Sequence, residues 1–139
     1  MSSDAGRAPL SIDLRCCADD RGHKVEQIQA TATFPTIAAG DLEEFKQLAA
    51  QALDAARGEA GTVQYDWFFS DDDTQCVVRE TYADSDAVLA HLGNVGPLLG
   101  RLVYLGGGLE LAVFGDPSAA LRDAIAAFQP RIFSFDDGK

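Results

Sequence analysis

Two runs of alternating residues, separated by a four-residue acidic loop, constrain this chain more than anything else in it. In Thr62–Ser70, Val63, Tyr65, Trp67 and Phe69 share one face, and Gln64, Asp66 and Phe68 share the other. In Gln75–Tyr82, the first face carries Cys76, Val78, Glu80 and Tyr82, and the second carries Gln75, Val77, Arg79 and Thr81. Period-two alternation predicts strands. Asp71-Asp72-Asp73-Thr74 between them predicts the turn of a β-hairpin. Bringing the two apolar faces together pairs Phe69 with Cys76, Trp67 with Val78 and Tyr65 with Glu80. Glu80 interrupts the apolar face of its strand. A buried carboxylate must be hydrogen-bonded, protonated or in a wet cavity, so Glu80 predicts a pocket.

The remaining segments supply what such a hairpin packs against. Val25–Phe34 alternates and predicts a first strand, broken by Pro35 and Gly40. Asp41, with Glu44 three residues on, has the capping-box pattern of a helix start. Leu42, Phe45, Leu48, Ala49, Ala52, Leu53 and Ala56 then form one apolar stripe, ended by Gly58 and Gly61. Asp84 predicts the cap of a second helix, Ser85–Leu92, with a separate helical stretch over Gly96–Tyr104. Gly106-Gly107-Gly108 breaks the chain before a strand at Leu109–Phe114. Asp116-Pro117 predicts the start of a last helix with Leu121, Ala124, Ile125 and Phe128 on its stripe. Arg131–Phe135 reads as a short fifth strand or an extended tail. The order β-α-β-β-α-β is an α+β, ferredoxin-like split βαβ arrangement: a four-stranded antiparallel sheet with helices on one face. Gln27, Gln29, Thr31, Gln64, Asp66, Arg79 and Glu110, mixed with Phe68, Val77 and Phe114, fall on the other face. That mixture suits solvent or a second sheet.

The chain has 139 residues, 47% of them apolar, which fits one domain with a single core. A formal charge of −11 argues against nucleic acid and anionic membrane as partners. No apolar run is long enough to predict a membrane span. Residues 1–24 lack the apolar stretch of a secretory signal and read as a flexible leader, with room for a short strand at Leu10–Leu14. Three cysteines, two of them adjacent at Cys16 and Cys17, do not make a disulfide framework, which predicts free thiols and a cytoplasmic protein. With only His23 and His91 as histidines, no metal site is expected. The aspartate triplet lacks the spacing of a calcium loop and the glycine triplet lacks that of a nucleotide loop.

Gly61–Phe69 followed by Arg79–Leu92 resembles the dimeric α/β-barrel superfamily, in particular its antibiotic-biosynthesis-monooxygenase-like (ABM) domains. The matching residues are Glu80, Tyr82, Asp84, Ala87, His91 and Leu92. Gly115–Phe135 is similar to the extra helix and extension of one bacterial subset. The resemblance implies a leader over 1–24, an ABM-like domain over 25–114 and a C-terminal helix and tail over 115–139. It also implies a homodimer in which two half-polar sheet faces close a barrel, and a pocket between sheet and helices in each subunit. That pocket would gather Tyr65, Trp67, Glu80, Tyr82 and His91.

On this resemblance the function expected is cofactor-independent oxygenation of a small phenol or quinol. The alternative is a non-catalytic dimeric binding or stress-response module using the same pocket. His91 is the candidate base or relay, or else a histidine satisfied by a backbone carbonyl or by Glu80. Glu80 orients His91 or accepts a substrate hydroxyl, or else bonds Tyr65 or a backbone amide. Tyr65, Trp67 and Tyr82 are the substrate-binding set, the ring of Trp67 stacking and the tyrosine hydroxyls aiming the ligand, or else core packing. A haem-degrading relative would use His91 as its axial ligand.

Overall fold

A computed structural model describes residues 26–139. The expected strand at Leu10–Leu14, the adjacent cysteines and Val25 lie outside these residues. The elements are strand β1 (Ile28–Phe34), helix α1 (Leu42–Arg57), strands β2 (Thr62–Phe69) and β3 (Cys76–Tyr82), and helix α2 (Ser85–Leu105). Strand β4 (Glu110–Phe114), helix α3 (Ala119–Ile125) and strand β5 (Arg131–Phe133) complete the chain. The sheet order is β2-β3-β1-β4-β5. The first four strands are antiparallel in the ferredoxin-like order, and β5 adds a fifth strand, parallel to β4. The parallel partner needs a crossover, which α3 supplies.

The hairpin register is the one its apolar faces predict: Phe69 lies opposite Cys76, Trp67 opposite Val78 and Tyr65 opposite Glu80. Its four-residue loop closes through Ser70 N–H donating to the Gln75 carbonyl at 2.9 Å. Asp72 accepts from Thr74 and Ser70 and so satisfies the turn from within. At the far end the alternation fails. A bulge between Thr62 and Gln64 leaves Val63 without an opposite partner and 64% exposed, where strict alternation puts it beside Tyr65. An extra residue in one strand shifts the face of everything before it, so Thr62 stands opposite the inward-facing Tyr82.

Helix α2 corrects a second expectation. The sequence predicts two separate helical stretches, Ser85–Leu92 and Gly96–Tyr104, yet the helix runs unbroken for 21 residues with Pro97 inside it. Proline removes one hydrogen bond and presses its ring on the carbonyl four residues back. Val88, His91, Leu92, Val95, Leu99 and Leu102 keep one continuous stripe against the interior across that point, and this burial outweighs the local loss. Contrary to the expectation that no apolar run is long enough for a span, the unbroken helix has the length and apolarity to cross a membrane, with mean hydropathy 1.2; here it lies against the sheet.

The helix starts differ in detail. Asp84 caps α2 as expected, accepting from Ala87 N–H at 2.9 Å. Asp41 makes no side-chain cap, because a 3₁₀ turn over Ala39–Asp41 leads into α1. Glu44, expected to complete that box, instead forms a two-bond pair with Arg101 of α2 at 2.8 and 3.0 Å. Ser118, not Asp116, caps α3.

The interior falls into two apolar clusters. One gathers Phe34, Phe45, Cys76, Val78, Leu102 and Leu105, with Tyr65, Trp67 and Phe69 against it. The other gathers Ile28, Tyr82, Val88, Val113, Leu121 and Ile125. Glu80 and His91 belong to neither. No described element covers the opposite sheet face, which carries Phe68 (52% exposed), Phe114 and Phe133, the last two stacked with ring centres 5.2 Å apart.

Candidate functional site

A cavity of about 70 Å³ lies between the sheet and helices α2 and α3, where the two clusters meet. That is several times the room one water needs. Its walls are apolar and come from both clusters, and its polar side chains are Tyr65, Trp67, Glu80 and His91. No lysine or arginine lines it among the described residues.

Strands β2 and β3 place Tyr65, Trp67 and Glu80 on the helix-facing side by their register. Trp67 lies nearly parallel to Phe34, ring centres 6.2 Å apart and planes at 8°, and edge-on to Phe45 and Tyr65. Its indole Nε1 is buried and has no hydrogen-bond partner among the described residues. Such a donor costs free energy until something in the cavity accepts from it.

Glu80 accepts a 2.5 Å hydrogen bond from the Tyr82 hydroxyl, two residues along the same face. Tyr82 itself is fully buried and does not line the cavity. It reaches the site through Glu80, with its hydroxyl committed there. Burial pushes the Glu80 carboxyl up to about 7; the Tyr82 hydrogen bond opposes that and the charge of Glu59 adds to it. Burial first, then the charge of Glu80, drives the hydroxyls of Tyr65 and Tyr82 well above the ordinary phenol range. Both are therefore neutral donors near neutral pH. Burial likewise raises the Cys76 thiol to about 12, so it is not a nucleophile here.

His91 is 4% exposed on the inward side of α2. Its ring meets Tyr65 edge-on, centres 4.6 Å apart, and lies 5.3 Å from the ring of Tyr82. Among the described residues neither Glu80 nor a backbone carbonyl hydrogen-bonds it, the two partners the structural alternative named. Its Nδ1 lies 2.8 Å from Oε1 of Glu59, a residue the sequence reading passed over. Glu59 sits in the turn between α1 and β2, which also carries Gly58 and Gly61. The turn packs so close to α2 that a Cβ on Gly61 would come 2.5 Å from the Cβ of Ala87. The Glu59 carboxylate also accepts from Thr62 Oγ1 at 2.6 Å and from Asn94 Nδ2 at 2.7 Å. Burial works against its charge, but the bonds from Thr62, Asn94 and His91 outweigh it and hold the carboxyl below its ordinary range. The one available signal in the sequence was an acidic residue in a glycine-bounded turn, a pattern that solvated turns share.

The site thus offers an imidazole backed by a carboxylate, a carboxyl poised near neutrality, a phenol and an unpaired indole N–H, around an apolar space. These groups can accept a proton from a bound molecule and hydrogen-bond its oxygens.

Residues 28–96 match the family model for antibiotic biosynthesis monooxygenases. No curated protein matches the chain in sequence. Among solved structures, MupZ from Pseudomonas fluorescens is similar at a TM-score of 0.71 and 26% identity, over 82% of this chain and 93% of that one. SnoaB from Streptomyces nogalater, a cofactor-independent oxygenase, is similar at 0.56 and 21%, over 68% of this chain and 96% of that one. A putative antibiotic biosynthesis monooxygenase from Caulobacter crescentus is similar at 0.56 and 18%, over 73% and 99%. The fold, the strand order and the match over 28–96 agree: this chain carries a ferredoxin-like domain of the antibiotic biosynthesis monooxygenase family.

Proposed function

We propose that the protein is a cofactor-independent monooxygenase acting on a small, electron-rich aromatic of the phenol or quinol type. The observation that carries this reading is one apolar cavity bordered by a carboxylate-backed histidine, a near-neutral carboxyl and an unpaired indole donor. Its likeness to SnoaB supports the reaction class.

In this reading His91 takes the phenolic proton, and the electron-rich phenolate reduces oxygen without a cofactor. A carbon–oxygen bond forms at a ring C–H, the O–O bond then breaks, and the ring carbon loses its hydrogen. One oxygen atom ends in the quinone carbonyl and the other leaves as water, so one phenol and one O₂ give one quinone and one water. Trp67 Nε1 and the Tyr65 hydroxyl donate to the substrate oxygens. Glu80, held by Tyr82, donates as a neutral acid. The absence of a lining cation among the described residues favours a substrate that enters uncharged.

Oxygen uptake on a panel of hydroquinones and naphthols tests the reading. Uptake above the buffer blank is expected, and His91→Ala should abolish it while leaving ligand quenching of Trp67 fluorescence intact. No uptake with any member overturns it. The second reading, a non-catalytic binding or stress-response module, is favoured by the lack, among the described residues, of a lining cation to hold a phenolate. Ligand quenching with no uptake would support it.

A homodimer belongs to the same proposal. Phe68, Phe114 and Phe133 leave an apolar patch on the uncovered sheet face, and such a patch commonly marks an interface.

A further inference from the structure

We propose that Glu59 is a positioning residue for His91, fixing which ring nitrogen carries the proton and holding the charge that forms when the ring accepts a second one. The inference rests on the reading of His91 as the base, and adds a residue that reading does not require.

The carboxylate is held from three sides. Oε1 takes His91 Nδ1 and Thr62 Oγ1, and Oε2 takes Asn94 Nδ2. These donors come from two elements. His91 and Asn94 stand three residues apart on α2, on neighbouring positions of one helix face. Thr62 opens β2, and the bulge beside it turns it to the inward side. Asn94 also donates to the Ala55 carbonyl near the end of α1 at 3.1 Å, tying the turn to both helices.

The chemical consequence follows from the donor rule. An ionised carboxylate accepts and does not donate. The Nδ1 facing Glu59 must therefore carry the proton, and the lone pair falls on Nε2, the other nitrogen of a ring that lines the cavity. Tyr65, edge-on at 71°, packs against the imidazole and limits its rotation. When Nε2 accepts a proton, the imidazolium lies against a fixed negative charge, the role a carboxylate plays behind a catalytic histidine. Glu59 does not take the proton itself, because its three hydrogen bonds favour the ionised form. Its side chain is 11% exposed and that of His91 5%, so water screens the pair little.

Long-range ¹H–¹⁵N correlation of the histidine rings in the full chain tests this, with His91→Gln assigning the signal. The neutral ring should carry its proton on Nδ1 alone. In Glu59→Ala, and to a lesser extent in Glu59→Gln, part of the population should move to the Nε2–H form while near-UV circular dichroism stays native. On an accepted quinol, Glu59→Gln should lower kcat tenfold or more with KM changed less than about twofold. A proton on Nε2 in the wild type, or an unchanged tautomer in a folded variant, overturns the inference. If Glu59→Ala does not fold, Glu59→Gln alone decides. If the wild type oxidises no quinol, the tautomer result still decides the role of Glu59, and only the oxygenase reading falls.

Discussion

Replacing Glu80 with glutamine separates the cost of ionising a cavity carboxyl from every other contribution to stability. The folded protein holds this proton up to about pH 7, against an ordinary value of 4.5. Between those values the native state keeps a proton that the unfolded chain has lost. Stability is therefore fully present below the unfolded value and falls as pH rises through the window. At about 1.4 kcal/mol per unit, full ionisation costs about 3 kcal/mol, or about 2 kcal/mol once partial solvent access to Glu80 is allowed for. Glu80→Gln keeps an acceptor oxygen for the Tyr82 hydroxyl and cannot ionise. Relative to wild type it should gain about 2 kcal/mol between pH 4.5 and about pH 8. Glu59 titrates in the opposite sense, since its carboxyl is held low and its contribution is lost as pH falls. Its bonds from Thr62, Asn94 and His91 are common to both proteins and cancel in the difference, while its repulsion of an ionised Glu80 exists only in the wild type and is part of what is read. Urea unfolding followed by Trp67 fluorescence reads it as a relative midpoint shift of roughly 1 M. Parallel stability curves for the two proteins across this range would refute the reasoning, since Glu80 would then titrate alike folded and unfolded.

Three further outcomes can be checked. Gly61→Ala places a Cβ against Ala87 and should destabilise by about 1–3 kcal/mol; combining it with Ala87→Gly should recover part of that in a double-mutant cycle, and strict additivity would mean the turn moves away instead. Trp67→Phe keeps an aromatic ring between Phe34, Phe45 and Tyr65 and removes the unpaired donor, so thermal unfolding should stay within about 1 kcal/mol of wild type while affinity for any carbonyl-bearing ligand drops. Phe68→Glu charges the apolar patch on the uncovered sheet face, and light scattering should report a dimer mass for the wild type and a monomer mass for the variant; a monomeric wild type at micromolar concentration would end the dimer proposal.

What was readable in the sequence was what neighbouring residues decide. Alternation and a turn of fixed length set the hairpin register, so Tyr65 opposite Glu80 followed from the chain alone. Asp84 as a cap followed likewise, because a cap is satisfied within its own first turn. The position of Glu80 inside an apolar face predicted a cavity by the cost of burying charge. The failures lie where two distant segments meet. The sequence divides the second helix at residues 93–95, but a stripe spanning both sides of that gap packs on the sheet and keeps α2 whole. Glu44 fits a local box and is taken by Arg101, 57 residues away. The bulge at Val63 is invisible to alternation, yet it turns Thr62 toward Glu59. Glu59 itself is 32 residues from His91, in a turn whose composition only suggests solvent. Periodicity reports which side of its own element a residue occupies. Which residue of another element stands opposite depends on how helices and sheet dock, and that docking is set by the burial of whole faces, so only the tertiary structure could pair Glu59 with His91.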